Sequence, residues 1–407
     1  MHIAIVTPRP LLPANTGGKI RSLRLFRELA SRHQLTVLCL SNPETDSANI
    51  AAMEEALGRV IAVPWRESSR RSLRSVASFA RAALASESFL IAKYRNPALR
   101  RHIEDVVTKD AVDPLICDFL HPSPNVLPVS FRPRILFQHN VEAAIRERQL
   151  PHVRNPLLRL ALRREWESLQ RYEARACREY DHVITVSAED ARVISDAYDV
   201  NTVEPIPTAV DAAEFCPDDF PRPTDGEPYD VVFTGSMDWF ANEDGINWFV
   251  SQVMPILRRR VRVTFWIVGR NPTPTLQRLG ERWPDIQVTG TVDDVRPFIA
   301  RAAVYVVPLR IGGGTRIKIF EAMSMEKAVV STRLGAEGLP LVPGEHVLLA
   351  DTPGEFAEAI TTLLADATRR EELGRASRRL VAERYSWEAA ADAFDEICHR
   401  VVSSVSR

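Results

Sequence analysis

The chain has 407 residues, of which 45% are hydrophobic and 26% charged, as in ordinary globular proteins. Its formal net charge is −1, so the composition shows no overall basic excess and we expect no nucleic-acid partner. The five cysteines occur without a CxxC pair, which favours a reducing compartment over a secreted disulfide framework.

The first predicted element is a short buried strand at residues 2–7 (HIAIVT). The beginning of the sequence lacks a charged leader followed by a long apolar region, so we expect no signal peptide. No apolar run in the chain reaches the roughly 18 residues that a membrane span needs. We therefore expect a cytoplasmic protein.

Predicted strands alternate with helical segments along the first half of the chain. After residues 2–7, the strand candidates are 35–40, 59–63, 114–119, 134–138, 182–186 and 202–206. Between the first two, Ile20, Leu23, Phe26 and Ala30 recur at helical spacing. This alternation predicts a parallel, doubly wound α/β sheet.

A Pro- and Asp-rich stretch at 216–229 reads as a linker, and the alternation then starts again. The later strand candidates are 230–235, 263–269, 286–290, 303–309 and 328–332. A final helix carries an apolar stripe that must dock on another element. The sequence thus predicts two Rossmann-like domains, 1–215 and 216–385, and a C-terminal helix at 386–407.

Loops at the carboxyl ends of parallel strands are the usual ligand sites, and two such domains facing each other would share one cleft. Gly17 and Gly18, with Arg21 one turn on, follow the first strand and could receive an anion, although a plain turn is the alternative. The other candidates follow later strands and could equally be structural, capping or packing residues. They are His139, Gly235, Ser236 and Arg270.

The most chemically distinctive stretch is PLRIGGGTRIKIFEAM, residues 308–323. A predicted strand leads into a glycine-rich turn, and an apolar helix follows. Free amides at a helix start form an anion cradle, two cations can offset a diphosphate, and an acid one turn on can bind ribose hydroxyls. These residues are Gly312, Gly313, Gly314, Thr315, Arg316, Lys318 and Glu321.

Several other site types are excluded by the sequence. GxxxxGK[ST] is absent, and Gly312-x-Gly314 lacks the third glycine of a dinucleotide fingerprint. HExxH, GxSxG and D-x-D are also absent, and the nine histidines are dispersed. We therefore predict a diphosphate neutralised by amides, Arg and Lys, with no metal and no cofactor.

At this point the chain resembles the retaining GT-B glycosyltransferases of the large family-four group. The resemblance rests on the early GG loop, HN at 139–140, VITVSAEDA, FTGSMDW, VGR, the run from Val288 to Thr332, and YSWEAAADAF. It implies that Gly17, Gly18 and Arg21 lie near the donor diphosphate and sugar, and that His139 lies near the sugar. It also implies that the Val292 backbone meets the base, the Gly314 and Thr315 amides hold the diphosphate, Glu321 binds the ribose, and the last helix returns to the first domain.

Two departures point to a glycine-rich subgroup with GGGTRxKxxEAM. Gly313 stands where the family often has a sugar-contacting glutamate, and the loop GSMDWFANEDG lacks the usual Lys and Arg. We infer that Arg316 and Lys318 replace those cations. The expected reaction moves a sugar from a nucleotide diphosphate sugar to a hydroxyl with retention, by a front-face mechanism.

The acceptor side is less defined. We expect a glycan or lipid-linked acceptor in polysaccharide or glycolipid biosynthesis. Basic stretches at 66–101 and 146–178 could touch an anionic membrane at its inner face, or could be solvated helix faces. The competing functions are a nucleotide-sugar epimerase, a phosphorylase, and a non-catalytic binding protein on the same fold.

Overall fold

The computed structural model describes residues 1–66, 87–153, 155–221, 229–313 and 316–405. The chain divides into two compact units: unit 1 comprises Met1–Pro207 and Trp387–Arg407, and unit 2 comprises Thr208–Ser386. The sequence placed the boundary later, after residue 215. Residues 208–215 group with unit 2 because its backbone and side chains hold them: the Val210 N–H donates to the Tyr385 carbonyl at 2.9 Å, and Arg378 donates to the Phe215 carbonyl at 3.3 Å.

Unit 1 contains a seven-stranded sheet in the order β3-β2-β1-β4-β5-β6-β7, and all of its pairings are parallel. Residues 3–7 of the first strand are buried, so elements cover both faces of the sheet there. The strands are β1 His2–Thr7, β2 Gln34–Ser41, β3 Arg59–Pro64, β4 Leu115–Asp118, β5 Arg134–Gln138, β6 His182–Thr185 and β7 Val203–Pro205.

Helices connect these strands. The first begins at Gly17 because the Thr16 side chain accepts a hydrogen bond from the Lys19 N–H at 3.4 Å, an N-cap. The described helices of unit 1 before β7 are α1 Gly17–Ala30, α2 Ser47–Leu57, α3 Phe89–Ala92, α4 Pro97–Lys109, α5 Ser123–Val126, α6 Glu142–Gln149, α7 Pro156–Glu179 and α8 Ala188–Tyr198.

Unit 2 contains a six-stranded parallel sheet in the order β10-β9-β8-β11-β12-β13. Its strands are β8 Tyr229–Thr234, β9 Val263–Val268, β10 Ile286–Gly290, β11 Val304–Val307, β12 Val329–Ser331 and β13 Leu348–Leu349. The last is only two residues long, which is why no sequence pattern marks it. The helices are α9 Phe240–Trp248, α10 Met254–Leu257, α11 Pro274–Arg282, α12 Arg296–Arg301, α13 Ile317–Ser324, α14 Pro353–Ala365 and α15 Ala367–Arg384.

Ile246, Phe249, Val253 and Leu257 recur at helical spacing and are buried, but their segment is not one regular helix. A π-helical turn, Phe249–Val253, separates α9 from α10. Pro255 is the second residue of α10, and it has no N–H to donate to the residue four positions back. The chain accommodates the missing bond by widening locally into the π form.

The last helix, α16 Trp387–Val405, belongs to unit 1 and packs against α1. The predicted stripe of Trp387, Ala391, Phe394, Ile397 and Val401 is buried throughout. The Phe394 ring meets the Phe137 ring edge to face, with centroids 5.3 Å apart. Among the described residues, every helix is too short or too polar to cross a bilayer.

Candidate functional site

In unit 1 the strands β1, β4 and β5 are neighbours, so the loops that leave their carboxyl ends lie side by side. His139 follows β5 directly and is 2% exposed. Its Nε2 lies 2.7 Å from Oδ1 of Asp118, the last residue of β4. The Ser22 hydroxyl of α1 donates to the same carboxylate, at 2.8 Å to Oδ2. The fold thus brings side chains from three elements into one buried cluster.

The cluster fixes which nitrogen of His139 carries the proton. An ionised carboxylate only accepts hydrogen bonds, so Nε2 must hold the hydrogen that Asp118 receives. Nδ1 is then left with its lone pair, and Nη1 of Arg21 lies 3.5 Å from it. His139 therefore presents a lone pair toward a guanidinium, which is the tautomer that Asp118 selects.

Burial lowers the pKa of His139. The Asp118 carboxylate opposes this shift, whereas the Arg21 charge adds to it. The Phe119 ring stacks on the imidazole with centroids 3.8 Å apart and planes 11° apart. The imidazole is thus held in a neutral state, ready to hydrogen-bond a polar group without adding a charge.

Gly18 has a packing role that the sequence did not reveal. A methyl group added at Gly18 would lie 2.7 Å from Cζ of Phe119 and 2.9 Å from its Cε1. Such distances are well inside van der Waals contact. The sequence interpreted Gly18 as room for a ligand, and the structure shows that it first makes room for the ring stacked on His139. Gly17, the first residue of α1, lies beside it.

The segment after His139 is held by a buried carboxylate, Glu173 of α7. It accepts the backbone N–H groups of Glu142 at 2.8 Å and Ala143 at 3.0 Å, at the start of α6. Tyr198 donates to it at 2.8 Å and Gln138 at 2.5 Å. Burial raises the pKa of Glu173 to about 7, and these donors oppose the shift. Glu173 therefore acts as a remote cap that fixes the His139 loop.

In unit 2, Lys318 of α13 reaches the loop that follows β8. Its Nζ lies 3.3 Å from Oδ1 of Asn242 and 4.1 Å from the centroid of the Phe233 ring. A methyl group added at Gly235 would lie 2.7 Å from this Nζ. Asn242 also donates to the Ser236 carbonyl at 2.7 Å, which pins the loop. The Lys318 ammonium thus lies against the loop after β8, residues 235–239, which contains no Lys or Arg.

The pKa values of Lys318 and Glu321 are both shifted to near neutral pH. Burial lowers the pKa of Lys318 to about 7, the neighbouring Arg316 lowers it further, and Glu321 opposes both. Burial raises the pKa of Glu321 to about 7, and Lys318 opposes that. Both side chains lie on α13, one turn apart, at its amino-terminal half. An anion placed beside Lys318 would favour its charged form.

Arg316 lies at the N-cap of α13. Its Nη1 donates to the carbonyl of Gly313, and a methyl group at Gly312 would lie 2.7 Å from its Nη2. The glycine turn therefore folds around the guanidinium. Gly314 and Thr315 lie outside the described residues, so their predicted role stays a prediction.

The remaining predicted residues of unit 2 follow neighbouring strands. Ser236 donates to Asp238 at 2.6 Å, and the Arg270 carbonyl accepts the Met237 N–H at 2.9 Å, so the β8 and β9 loops are joined. Nε of Arg270 is buried, and none of the described residues offers it a hydrogen-bond partner. Val292 follows β10 and packs on the core of unit 2. Sheet order places all these loops at one edge.

Sequence reasoning missed Asp118, Phe119, Glu173 and Asn242. Asp118 had a readable signal: it is the only charged residue in an otherwise apolar predicted strand, at the carboxyl end. Glu173 had no such signal, because the sequence of a long charged helix does not show which of its acids is buried. A further group, His33, Asp395 and His399, has the composition of a metal site and lies on α16 and the turn after α1.

A cavity of about 390 Å³ lies at the carboxyl ends of β1, β2 and β3 in unit 1. Cationic, polar and aromatic side chains line it, among them Arg9, Lys19, Asn42, Trp65 and Arg66. The Arg9 guanidinium lies 5.4 Å from the centroid of the Trp65 ring, and Arg66 pairs with Glu44. The cavity combines a flat aromatic face with positive charge.

Residues 228–366, all within unit 2, match the family model described as "Glycosyl transferases group 1". An uncharacterized glycosyltransferase of Methanocaldococcus jannaschii is 31% identical over 98 residues, which are 24% of this chain and 27% of that protein. The chain spans less than half of the length of the curated relatives it matches.

Solved structures match over almost the whole chain. Sucrose-phosphate synthase from Thermosynechococcus elongatus has a TM-score of 0.74 and 16% identity, over 99% of this chain and 100% of that one. The Anabaena protein HepE in complex with UDP-glucose has a TM-score of 0.67 and 13% identity, over 100% and 99%. The predicted fold class is confirmed: the two parallel sheets with their helices are the two Rossmann-like domains of the GT-B fold.

Proposed function

We propose that this chain is a glycosyltransferase that takes its sugar from a nucleotide diphosphate donor held by unit 2. The observation that carries this proposal is the position of Lys318, whose ammonium lies against Gly235 in the loop after β8. That ammonium makes one hydrogen bond within the described residues, to Asn242, although it has three N–H groups to offer. The match of residues 228–366 to the glycosyl transferases group 1 model supports the same assignment.

In this proposal Lys318 and Arg316 offset the charge that develops on the departing nucleoside diphosphate. The amides at the start of α13, with those of Gly314 and Thr315, add fixed donors. Glu321 accepts the ribose hydroxyls, and Val292 meets the base. For unit 1, the proximity of His139 and Arg21 to the transferred sugar stays a prediction, since both ring nitrogens of His139 already face partners, Asp118 and Arg21. Transfer proceeds with retention and without a metal, since the two cations take the role that a divalent ion has in other transferases.

The test is turnover of a panel of UDP-, GDP- and ADP-sugars, by release of the nucleoside diphosphate, with the wild-type chain and Lys318→Met. We expect one donor class to be consumed, and Lys318→Met to lower its turnover about 10²–10³-fold, the usual cost of a lost charge stabiliser. Lys109→Met is the matched control, because Lys109 is exposed and pairs with Asp105 on the surface of unit 1.

Four results would contradict the proposal. Unchanged turnover in Lys318→Met would remove Lys318 from the donor site. Interconversion of two sugars without release of the diphosphate would indicate an epimerase, and phosphate-dependent sugar 1-phosphate formation would indicate a phosphorylase. Binding of UDP without turnover of any donor would indicate a non-catalytic protein.

For the acceptor we propose an anionic glycan or sugar phosphate, bound in the 390 Å³ cavity of unit 1. Arg9 and Lys19 supply positive charge, and the Trp65 ring, which stacks on Tyr94 and lies under Arg9, supplies apolar lining. The probe is glucose 1-phosphate against glucose, by calorimetry. We expect only the phosphate to bind, and Lys19→Ala to weaken it without changing UDP affinity. Equal binding of both sugars would overturn the assignment.

We also propose that the first turns of α7 contact an anionic membrane. Leu157, Leu158 and Leu160 are 78%, 52% and 51% exposed. Arg159, Arg163 and Arg164 are exposed among them, and residues 155–164 contain no acid. Apolar side chains interleaved with arginines suit an anionic bilayer surface. Of the predicted basic stretches, 66–101 and 146–178, residues 67–86 and 154 lie outside the described residues.

Vesicles of phosphatidylcholine with and without phosphatidylglycerol test this contact by co-sedimentation. We expect binding to the anionic vesicles only, weakened by salt, and lost in the triple Leu157→Ser, Leu158→Ser, Leu160→Ser variant. Val342→Ser is the control, since Val342 is 49% exposed in unit 2. A concentration-dependent dimer that the triple variant abolishes, without vesicle binding, would show that a second copy covers the leucines instead.

A further inference from the structure

Unit 1 brings together three metal-ligand side chains that are far apart in the sequence. His33 lies in the turn between α1 and β2, and Asp395 and His399 lie one turn apart on α16. One donor atom from each lies within 4.8 Å of the others. Because the two elements are 362 residues apart, the dispersed histidines of the sequence gave no sign of this cluster.

The distances within the cluster are close to those of a metal site. Nε2 of His33 lies 2.7 Å from Oδ1 of Asp395, and Nε2 of His399 lies 3.6 Å from the same oxygen. Ligands at about 2.0–2.2 Å from a tetrahedral zinc ion stand roughly 3.4 Å apart. All three donor atoms lie within 4.8 Å of one another, so shifts on the order of 1 Å bring them to that spacing.

Both elements that carry the donors are firmly held. Phe394 and Cys398, which adjoin Asp395 and His399 in the sequence, are fully buried in unit 1. The His33 N–H donates to the Leu29 carbonyl at 2.9 Å at the end of α1, and Arg32 pairs with Asp392 beside the cluster. Ligands mounted on rigid elements lose little freedom when a metal binds.

The contact of Nδ1 of His33 decides which nitrogen of the ring can bind the ion. Nδ1 of His33 lies 3.3 Å from the amino group of Met1, so Nε2 is the ligand. When Nε2 binds the ion, its hydrogen is lost to solvent and the ring takes a proton at Nδ1 from the Met1 ammonium, so the imidazole stays neutral and one proton is released. The His399 side chain is 59% exposed, which leaves the ion open to a water molecule as its fourth ligand.

From this arrangement we infer that His33, Asp395 and His399 form a binding site for a zinc-type transition ion that joins the last helix to the body of unit 1. Two imidazoles and one carboxylate suit Zn²⁺ or Co²⁺, whereas Mg²⁺ and Ca²⁺ prefer oxygen ligands. The ion is structural, since its ligands join α16 to the turn after α1 and none of them belongs to the His139 or Lys318 cluster. Its binding to the folded state alone stabilises unit 1 by mass action.

The test uses the full chain, stripped of metal and titrated with Co²⁺ and then Zn²⁺. We expect the intense visible absorption of tetrahedral Co²⁺, abolished by one equivalent of Zn²⁺. Free Zn²⁺ at a hundredfold excess over its Kd should raise the Tm of unit 1 by on the order of 5 °C. His399→Ala and Asp395→Asn should lose both signals, and His102→Ala, an exposed histidine of α4, should keep them.

Absence of Co²⁺ absorption in the wild-type chain would overturn the inference. A Zn²⁺-dependent rise in Tm that survives in His399→Ala would also overturn it, because the ion would then bind elsewhere. The exposure of His399 makes its variant a safe one for folding, and the apo Tm of that variant checks this directly.

Discussion

The two clusters of candidate site residues are built in opposite ways. In unit 1, His139 is held by side chains on every side: Asp118 and Ser22 bond it, Phe119 stacks on it, and Glu173 caps the helix that follows. In unit 2, Arg316 is the N-cap residue of α13 and Lys318 lies in its first turn. The contacts of these two cations include the Gly313 carbonyl, the Asn242 amide and the Phe233 ring.

The two arrangements suit two different functions, one for an imidazole and one for an ammonium. A neutral imidazole must be kept in one tautomer, and only a closed network of buried partners does that. An ammonium meant for an anion must keep donors open, and a buried partner with full negative charge would compete with that anion. The His139 cluster is therefore organised to orient an imidazole, and the Lys318 cluster to supply positive charge.

The largest effect is expected from breaking the unit 1 network with Asp118→Asn. The amide can donate to Nε2 of His139, so the proton moves to Nδ1 and faces Arg21. We expect turnover of the accepted donor to fall by on the order of 10²-fold, less than the roughly 10⁴-fold seen when the histidine in the wrong tautomer is itself the general base. UDP affinity should stay unchanged, because unit 2 holds the nucleotide. An equal loss of UDP affinity would contradict the division between the clusters.

The second prediction concerns Gly18, which makes room for Phe119. Gly18→Ala forces the ring away from His139, and overpacking of this kind costs about 1–3 kcal/mol of stability. Gly354→Ala is the matched control, since nothing lies within 4 Å of a methyl group there. Denaturant unfolding measures both. If Gly18→Ala leaves the free energy of unfolding unchanged, the stack of Phe119 on His139 is loosely packed.

The third prediction follows from the charge balance in unit 2. Lys318 must be protonated and Glu321 ionised, and the pKa of each is shifted to about 7. Deprotonation of Lys318 above that pH and protonation of Glu321 below it should each reduce kcat/KM, by about tenfold per pH unit on either limb. The profile is therefore bell-shaped around neutral pH.

Lys318→Arg tests which group causes which limb. The guanidinium stays charged, so the alkaline limb should disappear while the acid limb remains. Loss of the acid limb instead would mean that Lys318 and Glu321 have been assigned to the wrong sides of the profile.

The smallest effect is expected for Asn242→Ala. This change removes the amide that contacts Lys318 and the Ser236 carbonyl. The ammonium keeps its place over Phe233, so we expect KM for the donor to rise only several-fold, in line with about 1 kcal/mol for one hydrogen bond. A loss as large as that of Lys318→Met would indicate that Asn242 itself binds the donor.

Much of the fold was predictable because parallel strands buried on both faces are continuous apolar runs, such as HIAIVT and RILFQ. The glycine turn was predictable too, since three consecutive glycines between a strand and a helix favour a tight turn over a continued strand. The partner of His139 was harder to find. Asp118 and Ser22 lie on separate elements, and only the sheet order β1-β4-β5 makes them neighbours.

The same physical reason explains why the cluster of His33, Asp395 and His399 escaped prediction. A sequence shows spacing along the chain, and these residues meet only because α16 returns to α1. The π turn before Pro255 was likewise hidden, since the apolar stripe keeps helical spacing while the hydrogen bonds change.

The attachment of α16 to unit 1 has a consequence for how the protein is made. A ribosome delivers residues 1–207 long before residues 387–405, and domains tend to fold as they emerge. The part of the Phe137 ring that Phe394 contacts therefore stays uncovered while unit 2 is synthesised. Phe137 is two residues from His139 and its ring centroid lies 4.3 Å away. The His139 cluster is therefore completed only after unit 2 has been synthesised.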